Sequence, residues 1–403
     1  MSRICASWGL VAMEATWRWF GPQDPVSLRE ARQAGARGIV SALHDFAPGV
    51  AWPLEAIEER RQTIEAAGLT WSVVESVNVS ETIKRRTGAW REHIDAYITS
   101  LRRLAQAGVR VVCYNAMPVL DWLRTDLGWV LEDGSVTMRL DETTMAAFDL
   151  FVLRREGAEA EWDAEMQRAA SERFRGMGEG ERADLMRIVL AGLPGSKEVY
   201  SLEYMRESIA VYRELGGEGF RANVRGFLRA VAPVAEELGV RLCIHPDDPP
   251  RSLLGLPRIC STAEDLRALR SATPEAANGI TFCSGSLGVR AENDLPAMLS
   301  EFAERVWFVH LRATRREQNP RSFHEAPHLE GDVDIVELLR ILVREERRRR
   351  VAGDERAIPF RADHGLKILT DVGRDCVPGY PAVGRLKGLA ELRGALAAVE
   401  RLS

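Results

Sequence analysis

The chain has no CxxC pair. Its six cysteines are scattered singly through 403 residues. That spacing excludes a disulfide framework and the close ligand pairs of a structural zinc site. It points to a reducing, cytoplasmic setting in which a special cysteine is a metal ligand or a nucleophile. No apolar run approaches the roughly 20 residues that a membrane-spanning helix needs. The sequence Met1-Ser-Arg-Ile-Cys-Ala6 has no apolar core after a basic start, so no secretory leader is expected. Positive charge is also short: 54 Lys and Arg stand against 59 Asp and Glu, a formal net charge of -5. Such a balance offers no broad basic field for nucleic acid or an anionic membrane. No linker rich in Gly, Ser or Pro divides the chain, so a single domain over 1–403 is expected.

What remains is a globular composition with a strong alternation of strand-like and helix-like patterns. Apolar runs at 16–21, 37–43, 70–75 and 109–115 read as strands. Helical periods at 25–35, 53–68 and 90–108 lie between them. Asp24 and Pro25 suit the cap and first position of the first of these helices. Regularity breaks over 116–222, where a small hairpin at 130–136 and surface helices at 163–174 and 180–190 are predicted. A long, mainly helical insertion after the fourth strand is expected to form a lid or rim over a site. After a helix at 224–239 the alternation resumes. Strands end near 245, 283, 310 and 363, with helices at 262–271, 293–305, 333–350 and 384–402. Eight strand–helix units with apolar strands predict a (β/α)8 TIM barrel, in the α/β class, with its reactive groups at the strands' C-terminal ends.

The predicted tips are polar: His44, Glu75, Asn115, His245, Cys283, His310 and Asp363, with Trp19 near the first. The last four follow one another along consecutive strands. Any one of these histidines alone is more simply a core residue, and buried cysteine is common as a small apolar side chain. Four in succession favour a metal site assembled by the fold. Two imidazoles, a thiolate and a carboxylate suit a borderline divalent ion such as Mn2+, Fe2+, Co2+ or Zn2+. His364, beside Asp363, reaches the same mouth only if the strand ends there; it is then free to act as acid or base. Tyr380, in Pro378-Gly-Tyr-Pro-Ala382, either transfers a proton or packs. Arg312 suits a substrate carboxylate. His324 and His328 are expected at the rim or behind it, and Arg347–Arg350 as a solvated helix end.

Several longer stretches carry a family resemblance. They are Thr16-Trp-Arg-Trp-Phe-Gly-Pro22, Tyr114-Asn-Ala-Met-Pro-Val-Leu-Asp-Trp122, His245-Pro-Asp-Asp-Pro-Pro250, Gly288-Val-Arg-Ala-Glu-Asn-Asp294, Phe323-His-Glu-Ala326 and Gly384-Arg-Leu-Lys-Gly388. Over almost its whole length the chain resembles the metal-dependent mannonate dehydratases of bacterial hexuronate breakdown, which have a xylose-isomerase-like barrel. The resemblance implies that His245, Cys283, His310 and Asp363 bind Mn2+ or Fe2+, and that His364 and Tyr380 are the catalytic pair. It implies substrate contacts at Arg312, His44 and Asn115. The implied reaction is loss of water from D-mannonate to give 2-keto-3-deoxy-D-gluconate, in the cytoplasm, by a homo-oligomer (dimer or higher). A sugar or sugar-acid isomerase or epimerase on the same metal-binding barrel is the nearest alternative.

Overall fold

The computed structural model describes residues 13–191 and 200–402. The N-terminal hexapeptide read for a leader, and 192–199 of the insertion, lie outside the described residues. Eight parallel strands close on themselves: β1 (Glu14–Arg18), β2 (Gly38–Ser41), β3 (Thr70–Glu75), β4 (Val111–Tyr114), β5 (Arg241–Ile244), β6 (Asn278–Cys283), β7 (Val306–His310) and β8 (Pro359–Arg361). Each pairs with the next in chain order, and β8 returns to β1 with Glu14 opposite Pro359 and Ala15 opposite Phe360. β5, β6 and β7 are buried at every position. That is what parallel strands require when helices cover one face and the barrel interior the other.

Side chains alternate across a strand, and this alternation sets the site. Val40, Val73, Cys113, Cys243, Phe308 and Trp307 form a cluster apart from the main hydrophobic core. Two residues beyond Val73, Cys113, Cys243 and Phe308, on the same faces, come Glu75, Asn115, His245 and His310. The same step leads from Thr281 to Cys283 and from Arg361 to Asp363. An apolar layer is thus followed, toward the C-terminal end, by a polar one.

The insertion after β4 contains the hairpin strands Asp126–Val130 and Val136–Leu140, as expected. They join Thr314–Arg316 and Phe323–Glu325, from the loop after β7, in a four-stranded antiparallel sheet. Helices Ala164–Gly176 and Glu179–Val189 match the predicted surface helices. The predicted helix at 224–239 is only the second half of a longer run, Leu202–Glu237, broken at Gly216, whose φ of +68° suits a residue without a Cβ. Among the described residues no helix is long and apolar enough to cross a membrane.

Two local expectations are corrected. The first helix begins at Leu28, not Pro25, and its cap is Ser27 in a reciprocal capping box with Glu30. Asp24 instead accepts hydrogen bonds from the backbone N–H groups of Phe20 and Val26, which turns the chain before the helix can start. The arginine run at 347–350 is not simply a solvated end. Arg349 is buried, donates to the carbonyls of Ala303 and Val306, and pairs with Glu345.

Candidate metal centre

The tips of β5, β6 and β7 meet. One nitrogen each of His245 and His310 and the Cys283 sulfur lie within 4.8 Å of one another. His245 Nε2 is 3.2 Å from His310 Nδ1, while His245 Nδ1 lies 2.7 Å from the Pro246 carbonyl and is thereby oriented. Asp363 comes from the end of β8, its Oδ2 3.9 Å from Cys283 Sγ and 3.7 Å from His310 Nδ1. The Cys283 sulfur also accepts from the Ser286 backbone N–H and hydroxyl, at 3.5 and 3.2 Å. Two imidazoles and a thiol converging on one point, with a carboxylate at the edge, form a donor set that fits a borderline divalent cation.

The electrostatics agree with that fit. Burial disfavours charge on His245, yet the Cys283 sulfur, with Cys113 and Glu75 behind it, draws its pKa up to about 10. His310 is pulled the other way: burial and then the Arg361 guanidinium hold it well below the usual histidine range. Arg361 Nε lies 3.1 Å from His310 Nε2, and its other nitrogens reach Glu75 Oε1 at 3.0 Å and Asp363 Oδ1 at 2.6 Å. Glu75 Oε1 is itself 3.5 Å from His310 Nε2.

Beside this corner lies a small cavity lined by Asn115, Trp122, His245, Asp363, His364 and Tyr380, among others. His364 and Tyr380 meet edge to face with ring centroids 5.1 Å apart. Burial is the main cause that pushes the Tyr380 phenol up, to about 12, against the opposing Arg361. The phenol keeps its proton at neutral pH, as it would at its ordinary value. Arg312 also lines the cavity, but its donors already face protein groups. Nε and Nη2 donate to Glu325 at 2.6 and 2.7 Å, and Nη1 donates to Asp248 at 2.7 Å. Arg124, from the insertion, donates to the same two carboxylates at 2.9–3.1 Å.

His44 is not brought to this cavity. It lines a neighbouring cleft with His93 and Asn78, its Nε2 3.3 Å from Arg18 Nη2. Phe20 stands between, stacked on His44 and edge-on to Tyr380. Burial, then Arg18 and Arg60, push the His44 pKa down to about 3. His328 is buried with Nε2 2.6 Å from the Ala362 carbonyl, and His324 pairs with Glu317. Sequence reasoning left Arg361, Asp248, Glu325 and Arg124 without roles. Asp248 and Glu325 sit inside stretches already singled out, at 245–250 and 323–326, and Arg361 stands two residues before the predicted tip Asp363. Arg124 lies in the irregular segment and carried no pattern.

The model of the family described as D-mannonate dehydratase (UxuA) matches residues 13–403. The chain belongs to the D-mannonate dehydratase family. A mannonate dehydratase of Chromohalobacter salexigens is 56% identical over 391 residues, covering 97% of this chain and all of that protein. One of Rhizobium meliloti is 53% identical over 385 residues, covering 95% of this chain and 96% of that protein. The crystal structure of mannonate dehydratase from Streptococcus suis serotype 2 superposes with a TM-score of 0.73 at 31% identity, over 97% of this chain and 94% of that one. Membership of this hydro-lyase family accords with the barrel and with its polar C-terminal mouth.

Proposed function

We propose that this chain removes water from D-mannonate to give 2-keto-3-deoxy-D-gluconate, in hexuronate breakdown. The observation that carries the reading is the convergence of His245, Cys283 and His310 on one point, with Asp363 beside them and the His364–Tyr380 pair next to that corner. His245, Cys283, His310 and Asp363 would hold Mn2+ or Fe2+, as the mixed nitrogen, sulfur and oxygen donor set favours. When bound, the cation supplies positive charge beside the sugar acid's carboxylate and hydroxyls, where negative charge builds as C2 loses its proton.

The chain's own groups move the protons. His364 takes the C2 proton. The C2–H electrons form the C2=C3 double bond as the C3–O bond breaks. Tyr380, whose phenol is protonated at neutral pH, gives its proton to the departing hydroxyl, which leaves as water. The enol then becomes the 2-keto acid. Asn115 is the uncharged polar group at the cavity wall that meets the substrate. Arg312, at the cavity wall, holds Glu325 and Asp248. The Cys283 ligand must remain reduced, which suits a cytoplasmic enzyme.

The test is an anaerobic assay of D-mannonate under reducing conditions, with metal analysis of the same sample. Keto-acid formation with loss of water is expected from the wild type. Cys283→Ala and Asp363→Ala are expected to lose bound metal and activity together. Full activity in a metal-free variant would refute the assignment, and a product of unchanged mass would make the enzyme an isomerase or epimerase.

A further inference from the structure

Glu325 faces the proton-transfer pair from outside the metal corner. It is 2% exposed and ends the short strand Phe323–Glu325 of the four-stranded sheet. Its backbone carbonyl accepts from the Thr137 hydroxyl at 3.1 Å, which ties it to the insertion's hairpin. Oε2 accepts from Arg312 Nε at 2.6 Å. Oε1 accepts from Arg312 Nη2 at 2.7 Å and Arg124 Nη2 at 2.9 Å, and lies 3.2 Å from His364 Nδ1.

We propose that Glu325 is a positioning residue for His364, held rigid by Arg124 and Arg312. The inference rests on His364 being the proton acceptor of the reaction proposed above.

The geometry supports it in three ways. First, a neutral imidazole donates from one nitrogen and accepts at the other, while an ionised carboxylate only accepts. With two guanidinium groups on it Glu325 stays ionised, and its Oε1, 3.2 Å from His364 Nδ1, favours the tautomer that carries the proton on that nitrogen. The Nε2 lone pair is then free for the substrate. Second, Arg124 and Arg312 each pair with both Glu325 and Asp248, a closed and charge-balanced square of four buried ions. Such a square is weak grounds for stability, because desolvation offsets the attraction. It is well suited to fixing one carboxylate in place. Third, its members come from separate parts of the chain: Arg124 from the insertion, Asp248 beyond β5, and Arg312 and Glu325 beyond β7. The orientation of His364 therefore depends on the insertion being docked.

Glu325→Gln and Glu325→Asp, made in the full-length chain and loaded with Mn2+, test the idea. Rates on D-mannonate and exchange of its C2 hydrogen in deuterated water are followed together. Glu325→Gln is expected to lower kcat by about 100-fold, with KM within about threefold and metal content unchanged. C2 exchange should slow in parallel, and Glu325→Asp should recover part of the rate because it keeps the charge. Should the Gln variant not fold, the Asp variant decides: a lowered kcat at unchanged KM supports positioning. Wild-type kcat in either folded variant, or a loss confined to KM or metal content, overturns it. A wild type that yields no keto acid would instead overturn the proposed reaction itself.

Discussion

Asp363 has a φ of +61°, in the left-handed region, two residues beyond the end of β8. On a regular strand its neighbour would point the other way. The turn lets Asp363 face Cys283 and His310 while His364 faces Glu325 and Tyr380. A non-glycine residue at such a φ costs on the order of 1 kcal/mol or more, and the surrounding contacts must hold it there. The proposed division of labour between His364 and Tyr380 rests on their surroundings, one ring beside a carboxylate and the other a buried phenol. Tyr380→Phe keeps the ring contact and removes the proton. It is expected to lower kcat by about 100-fold or more with little change in KM, read from steady-state rates on D-mannonate.

At the scale of elements, the first helix shows how a local hydrogen bond outranks a sequence pattern. Asp24 and Pro25 fit the rules for a helix start, but the Asp24 carboxylate is occupied by its own turn. The Ser27–Glu30 box does the capping, and Arg374 reaches across to the same Glu30. Ser27→Ala should cost about 1 kcal/mol of stability, measured by urea unfolding, with kcat unchanged. The helix Ile335–Val351 was legible as an element but not in its burial. Glu346 on it accepts from the Ile358 N–H just before β8, at 2.7 Å. Burial is the main cause that raises its pKa to about 7. The folded state then binds more protons than the unfolded one between about pH 4.5 and 7, so this group's contribution to stability falls as pH rises through that window. Glu346→Gln can still accept that hydrogen bond. Relative to wild type it should gain on the order of 2 kcal/mol between pH 5 and pH 8, measured as the difference in unfolding free energy at the two values.

For the molecule as a whole, apolar strand runs and helical periods determined a closed eight-stranded barrel. The alternation of side chains determined that His245, Cys283 and His310 would share its mouth. Those are short-range regularities, and a sequence displays them directly. Only the tertiary structure decided that the Arg312 fork would close on Glu325 and Asp248 and that Phe20 would screen His44 from Tyr380. It also decided that Arg124 would reach from the insertion into the same ion square. The ion square alone joins residues as much as 201 positions apart. Nothing in the local pattern of Arg124 distinguishes a buried partner from a solvated one, because the charges that hold it are brought near only when the barrel closes.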